Sequence, residues 1–316
     1  MRVRVLVTDG VFDSGLSAVL DVLDTANQLR AQVEQPPSPW EVSTVGARRR
    51  VKTGAGHTVT TSRPDEPADV LVIPAVGIKQ PEALIAEVSS TGNRPVRRMI
   101  AEARDQGIDL AGACTGTFFL AEAGILDGMT ATTTWWLGPT FRQRYPAVRL
   151  TESHTVVHDD RITTAGAAFA HIDLALVLVH RQSPALADLV ARYLLIGDRS
   201  SQAAFAIPTQ LAQHNPHLTA FEGWVRERLA EPIQISAAAT AIGLSERSLQ
   251  RLTSATLGLS PIEFVNDVRL DHATFLLRTT KLSVDTIAGQ VGFRNASTLR
   301  GLVRRRRSAT IAELRR

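Results

Sequence analysis

A single cysteine, Cys114, stands in Ala111-Gly112-Ala113-Cys114-Thr115-Gly116-Thr117-Phe118, directly after an apolar run of strand length and at the start of a helical pattern. A thiol on so sharp a strand-to-helix turn has the placing of a nucleophile elbow, with backbone N–H groups near an incipient oxyanion and a helix amino terminus to lower its pKa. A buried small residue at a tight turn would suit cysteine as well. His154 and His158 would share one face if their segment were helical, with Asp159 and Asp160 as further oxygen ligands to a metal. The stretch Thr155-Val156-Val157-His158-Asp159-Asp160-Arg161-Ile162 reads instead as a hairpin about an Asp-Asp turn, and no metal site is expected.

The elements that would position Cys114 alternate along residues 3–196. Val3–Thr8, Trp40–Val45, Asp69–Ile73 and Ile108–Ala111 are apolar or β-branched runs of strand length. Leu16–Leu29, Pro81–Val88 and Arg94–Asp105 lie between them with helical spacing. Such alternation predicts an α/β layer around a mainly parallel sheet. Gly197 to Asn215 is rich in residues that punctuate secondary structure and reads as a linker. Beyond it Leu218–Ala230, Ser236–Leu257, Pro261–Thr279, Val284–Val291 and Ser297–Arg306 all look helical, with Ser260-Pro261 as a hydroxyl cap ahead of proline. The expected domains are therefore 1–196, a linker 197–215, and 216–316.

Bulk composition narrows the function classes. A chain of 316 residues fits two domains. Residues 215–316 carry 15 Lys+Arg against 9 Asp+Glu, a net +6, while the remainder is at −2, which together give the +4 of the whole chain. A basic domain beside a slightly acidic one points to a polyanion partner for the former. The opening Met1–Val7 is too short an apolar run for a signal peptide, and no block of eighteen apolar residues occurs. A lone cysteine allows no internal disulfide and fits a reducing compartment, so a cytoplasmic protein is expected.

Within the helical third an internal echo appears. Ala239-Thr240-Ala241-Ile242-Gly243 overlays Ala288-Gly289-Gln290-Val291-Gly292, each followed by a helix bearing Leu249 and Leu252 or Leu299 and Leu302. A small residue permits close helix crossing, glycine four residues on supplies the turn, and the leucine pair locks the angle: a helix-turn-helix, made twice. With Gly258-Leu259-Ser260-Pro261 and Leu282–Phe293, residues 233–300 resemble the AraC/XylS family of regulators, in which two such units joined by a linker helix enter successive major grooves of double-stranded DNA. Glu246, Arg247, Gln250 and Arg251 are left on the outer face of the first recognition helix, where Arg can read guanine and Gln adenine. Asn295, Ser297, Thr298 and Arg300 are the counterparts in the second. Arg304-Arg305-Arg306-Arg307 departs from the family's ending and reads as a phosphate anchor through Arg304 and Arg305.

Residues 1–196 resemble the DJ-1/PfpI superfamily, the class I glutamine amidotransferase-like domain that GlxA-type AraC regulators carry ahead of their DNA-binding half. The stretches that carry the resemblance are Ala68–Pro74, the cysteine elbow, Leu120–Trp135 and Ile162–Leu176. The resemblance implies a flavodoxin-like sandwich followed by an all-α double helix-turn-helix domain. Enzymes of the superfamily pair the cysteine with a histidine in a Thr-Thr-His stretch and often use a glutamate near the first strand. Here Thr134 stands at the histidine position, and Gly15 is the nearest match to the glutamate, with Asp13 close by. Without a base the thiol lacks the relay that nucleophilic catalysis needs, so no catalytic residue and no cofactor are expected. A pocket about Cys114, Thr115, Thr134, Trp135 and Asp13 is expected to hold a small effector, nitrogenous by analogy with the relatives, in a homodimer. Two other readings stand beside this one: a cysteine hydrolase or glyoxalase-like enzyme to which His154, His158 or His171 supplies a base, and a redox sensor built on Cys114.

Overall fold

The computed structural model describes residues 1–63, 68–152, 154–197, 215–307 and 310–315. The chain forms two compact units, Met1–Ala203 and Ala204–Arg316. Most of the expected linker 197–215 lies outside the described residues.

In the first unit the sheet runs β2-β1-β5-β6-β10-β9, with β1 Arg2–Leu6, β2 Glu41–Val45, β5 Val70–Ile73, β6 Asp109–Ala113, β9 Val156–Asp159 and β10 Ile162–Ala165. The first five are parallel and β9 closes the edge antiparallel to β10. Counting the parallel strands in chain order gives 2-1-3-4-5, the flavodoxin-like winding. The small hairpin β3 Arg50–Lys52 and β4 Thr58–Thr60, and the short pair β7 Thr130–Ala131 and β8 Arg149–Leu150, sit outside this sheet.

Alternation along each strand feeds two cores, because successive side chains point to opposite faces. Val3, Val5, Val70, Val72, Ala111 and Ala113 pack with Leu16, Val19 and Leu23 of α1 (Asp13–Leu29), with Leu174 and Leu178 of α6 (Ala170–His180), and with Leu186 of α7 (Pro184–Tyr193). Leu6, Leu71, Ile73 and Leu110 pack the other way. They meet Leu84 of α2 (Pro81–Ser89), Ile100 of α3 (Arg94–Asp105), Phe118 of α4 (Gly116–Glu122) and Phe141 of α5 (Gly138–Arg144). Both faces are covered, which is why the parallel strands are nearly continuously apolar. The expected elements are present with shifted ends: β6 runs to Ala113 instead of stopping at Ala111, so the elbow follows the last paired residue at once.

The second unit is helical: α8 Pro216–Glu227, α9 Ile235–Ala241, α10 Glu246–Leu257, α11 Pro261–Thr279, α12 Val284–Gln290, α13 Ala296–Arg307 and α14 Ile311–Leu314. The helical stretch Ser236–Leu257 is broken at Gly243, where φ is +74°. Gly292 at +77° breaks the second copy in the same way. The two turns share their hydrogen bonds: Leu244 N–H donates to Ala239 O at 2.9 Å, and Phe293 N–H to Ala288 O at 2.8 Å. Both are Schellman closures that need a left-handed residue, which glycine adopts without a β-carbon penalty. The leucine pairs differ from expectation. Leu249 and Leu299 are fully buried, but their partners in the core are Thr253 and Val303, four residues on, while Leu252 and Leu302 are only half-buried. Four residues is closer to a whole turn than three, so i+4 keeps the inward face in this crossing.

At the junction of β6 and α4, Gly116 allows a backbone approach that no other residue would. A β-carbon there would lie 2.2 Å from Ile73 O and 2.9 Å from Pro74 O. Gly116→Ala is expected to destabilise the first unit by about 3 kcal/mol, lowering its thermal midpoint by roughly 6–12 °C; an unchanged melting curve would refute the packing constraint.

Candidate functional site

The elbow forms because β6 ends on Ala113 and α4 starts at Gly116, leaving two residues to reverse the chain. Cys114 takes a φ of +55°, in left-handed backbone that a side chain with a β-carbon disfavours. Its neighbours over-determine that geometry. Cys114 N–H donates to Ala165 O at 2.8 Å, and Cys114 O accepts from Thr133 Oγ1 at 2.8 Å and from Thr117 N–H at 3.3 Å.

The thiol is sealed. Cys114 is 3% exposed. Burial pushes its pKa up to about 12, and the Thr115 amide and the Thr134 hydroxyl draw it back only in part. Desolvation of a thiolate therefore outweighs the helix terminus that the sequence suggested would lower it. Thr134 Oγ1 lies beside the thiol, buried, and makes no hydrogen bond of ordinary geometry.

The amides that β5 brings to the elbow are also engaged. Ala75 N–H donates to His171 Nε2 at 3.0 Å. Val76 N–H donates to Thr115 Oγ1 at 2.8 Å, and the same hydroxyl returns a bond to Val76 O at 2.8 Å. Neither N–H is left to stabilise an oxyanion, which requires donors aimed at the developing charge.

His171 is fully buried and already fully used. Its Nδ1–H donates to Ala168 O at 2.5 Å while Nε2 accepts from Ala75, so the ring is neutral and its tautomer is set. Burial pushes its pKa down to about 4. The ring also fills the space above Gly15, where a β-carbon would lie 2.7 Å from Nε2. The position at which related enzymes carry a glutamate thus has neither a side chain nor room for one. The sequence reading missed this plug; the glycine at the start of α1 was its only signal.

The remaining candidates fall elsewhere. His154 and His158 are exposed, facing Thr151 Oγ1 at 3.2 Å and Thr163 Oγ1 at 3.0 Å through their Nδ1 atoms. His158 lies on β9, so the two do not share a helix face. Asp159 accepts from Thr130 N–H at 2.6 Å and Asp160 pairs with Arg104 at 2.6 Å. Among the described residues no group of three or more His, Cys, Asp or Glu is placed to hold a metal. Asp13 accepts from Ala55 N–H at 2.8 Å, and the Thr53 hydroxyl holds its carboxyl below the ordinary value. Trp135 is 9% exposed and meets Trp136 edge to face at 5.5 Å. Cys114, Thr115 and Thr134 are brought together with Trp135 next in the chain; Asp13 is tied to the loop at 53–57.

The basic unit presents a second candidate site. Ser245 caps α10 by accepting from Ser248 N–H at 3.1 Å. Burial of Leu249 and Thr253 leaves Glu246, Arg247, Gln250 and Arg251 exposed on one side of that helix. In the second copy Asn295 Oδ1 accepts from Thr298 N–H at 2.9 Å and from Thr298 Oγ1 at 3.1 Å, so both side chains are committed to the cap. Ser297, Arg300, Arg304 and Arg305 are exposed. Arg306 is not a free member of the arginine run: it pairs with Glu263 at 3.1 Å and lies 3.8 Å from Asp267.

Two measurements follow from the elbow. Ellman's reagent at pH 8 is expected to leave Cys114 unmodified in the native protein and to label it once guanidinium unfolds the chain; fast labelling of native protein would refute the sealed thiol. His171 has a folded pKa below its unfolded value of about 6.5, so its contribution to stability is complete above pH 6.5 and is lost as pH falls toward 4. That loss is on the order of 3 kcal/mol. In His171→Gln the decline between pH 6.5 and 5 is expected to flatten, and an unaltered slope would contradict the assignment.

A model of the DJ-1/PfpI family matches residues 1–181, and one of a helix-turn-helix domain matches residues 238–316. The HTH-type transcriptional regulator CdhR of Pseudomonas aeruginosa is 33% identical over 195 residues, which is 60% of this chain and 58% of that protein. The regulator GbdR of the same species is 27% identical over 300 residues, 91% of this chain and 77% of that protein. The chain thus aligns with little more than half the length of the first relative and three quarters of the second. A solved THiJ/PfpI family protein from Pseudomonas syringae shares the fold, with a TM-score of 0.52 at 18% identity, over 77% of this chain and 90% of that one. The chain belongs to the DJ-1/PfpI family, in the branch whose α/β domain is followed by an AraC-type helix-turn-helix domain.

Proposed function

We propose that this protein is a sequence-specific DNA-binding transcription regulator whose α/β domain senses a small molecule instead of turning one over. The observation that carries the first part is the doubled turn. Two copies with matching hydrogen bonds at Gly243 and Gly292 each expose one polar face on the following helix, in the basic third of the chain. That is the form of a reader of two successive major-groove segments. Base readout rests mainly on Glu246, Arg247, Gln250 and Arg251, since the cap bonds of Asn295 and Thr298 compete with base contact. Arg300, Arg304 and Arg305 serve phosphates, and Ser297 packs close to the backbone.

For sensing, the saturated amides, the sealed thiol and the plugged Gly15 space argue against turnover and against thiol redox chemistry. The hydroxyl of Thr134 is buried with only the Cys114 thiol beside it, which leaves bonding capacity open to a ligand. Because Cys114, Thr115 and Thr134 are buried, an effector would reach them only as the Thr134–Trp135 segment opens; it would then satisfy that hydroxyl and lie near the indole of Trp135, which suits a cationic nitrogen. The protein would act as a homodimer in the cytoplasm; among the described residues no helix is long and apolar enough to cross a membrane.

Titration of DNA selected from a random pool tests the first part. Arg251→Ala is expected to weaken binding to that sequence about tenfold or more, and Arg304→Ala to weaken all sequences alike while lowering the salt slope by about one. Binding that ignores salt would overturn the proposal. For the second part, a thermal-shift screen of nitrogenous metabolites should yield a compound that raises the midpoint of the native protein but not that of Trp135→Leu. Turnover of amide, peptide or glyoxal substrates that vanishes in Cys114→Ala would overturn the sensing reading.

A further inference from the structure

Reading two groove segments requires the two recognition helices, α10 and α13, to stand at a fixed distance and rotation. The structure places a charged contact between the carboxyl end of α13 and the first turns of α11, the helix that follows α10. Glu263 and Asp267 lie one turn apart on α11, whose first residue follows α10 by only Gly258, Leu259 and Ser260. Arg306, at the far end of α13, reaches Glu263 with Nη2 at 3.1 Å and Asp267 with Nε at 3.8 Å.

Both acids are anchored. Asp267 is 4% exposed, and Glu263 is locked by its capping box, in which its Oε2 accepts from Ser260 N–H at 2.9 Å and from Ser260 Oγ at 2.7 Å. The fork of Arg306 therefore grips two groups that cannot move independently of the start of α11. On another face of α11, Arg269 donates to Glu231 O at 2.6 Å and lies against the turn at Gly292, where a β-carbon would sit 2.7 Å from its Nη2. The linker helix thus holds the second unit by its turn and by its tail.

We propose that the contact of Arg306 with Glu263 and Asp267 is a positioning clamp that sets the half-site spacing this protein accepts. The clamp rests on the DNA-binding reading above. One inserted base pair moves the second half-site by about 3.4 Å and rotates it by about 35°, a displacement that a clamped pair of helices cannot follow. Arg306 acts here without touching DNA, in contrast to Arg305 beside it.

The test uses the full chain and DNA enriched from a random pool by the unsubstituted protein, remade with one base pair added to or removed from the spacer. The unsubstituted protein is expected to bind altered spacers about tenfold or more weakly. Arg306→Gln should reduce that penalty to about threefold or less, and Arg306→Lys should restore part of it. Glu263→Gln, which keeps the capping box but removes the charge, should relax spacing as Arg306→Gln does and decides the matter if the latter does not fold. Arg305→Gln should weaken every spacer alike. Folded Arg306→Gln and Glu263→Gln proteins that penalise altered spacers as strongly as the unsubstituted one would overturn the clamp. Failure of the unsubstituted protein to enrich any sequence would overturn the DNA-binding reading itself, and the clamp with it.

Discussion

Gly116 lets the first turn of α4 lie against the Ile73 carbonyl more closely than any β-carbon would permit, and that approach holds Cys114 in left-handed backbone. Much of the α/β domain is arranged about this contact. It brings the end of β5 beside the elbow, where Thr115 can exchange two hydrogen bonds with Val76. It also stacks Thr133 and Thr134 over the turn, one bonded to the Cys114 carbonyl and the other beside the thiol. A strained residue persists only where its surroundings leave it no alternative, and here they come from β5, β10, the first turn of α4 and the segment at Thr133.

The same contacts that maintain the strain occupy groups that nucleophilic chemistry at the elbow would use. A nucleophile elbow works when its thiol is ionisable, a base is within reach, and nearby amides are free to receive an oxyanion. In this chain burial keeps the thiol protonated, the buried histidine spends both ring nitrogens on the backbone, and the amides of Ala75 and Val76 are paired. His171 above Gly15 leaves no room for a side chain at that position. Hydrogen bonding this extensive around the elbow favours one well-ordered ground state.

In the helical unit, glycine again determines geometry, but by repetition. Gly243 and Gly292 close equivalent turns, so the two copies present equivalent faces. Their side chains are not equivalent. The first copy caps its recognition helix with Ser245 and leaves long polar residues exposed; the second uses Asn295 and Thr298 for the cap and carries its charge further along. The arginine run divides in the same manner, with Arg304 and Arg305 exposed and Arg306 turned back to the acids of α11.

The layers, the elbow and the doubled turn are legible along the chain, because each is written in local signals: alternating apolar residues, a small-residue stretch around Cys114, and alanine followed by glycine four residues later. Resemblance to the DJ-1/PfpI enzymes, in turn, set Thr134 and Gly15 at the positions where those enzymes carry a histidine and a glutamate. Packing between distant segments seals the thiol, sets His171 over Gly15 from 156 residues away along the chain, and turns Thr253 and Val303 to the core where Leu252 and Leu302 were expected. The division of the arginines was likewise hidden, since Arg306 and Glu263 are separated by 43 residues. The reason is common to all of these. Burial and ion pairing depend on which distant segments the fold packs together, and periodicity reports only which face of an element turns inward.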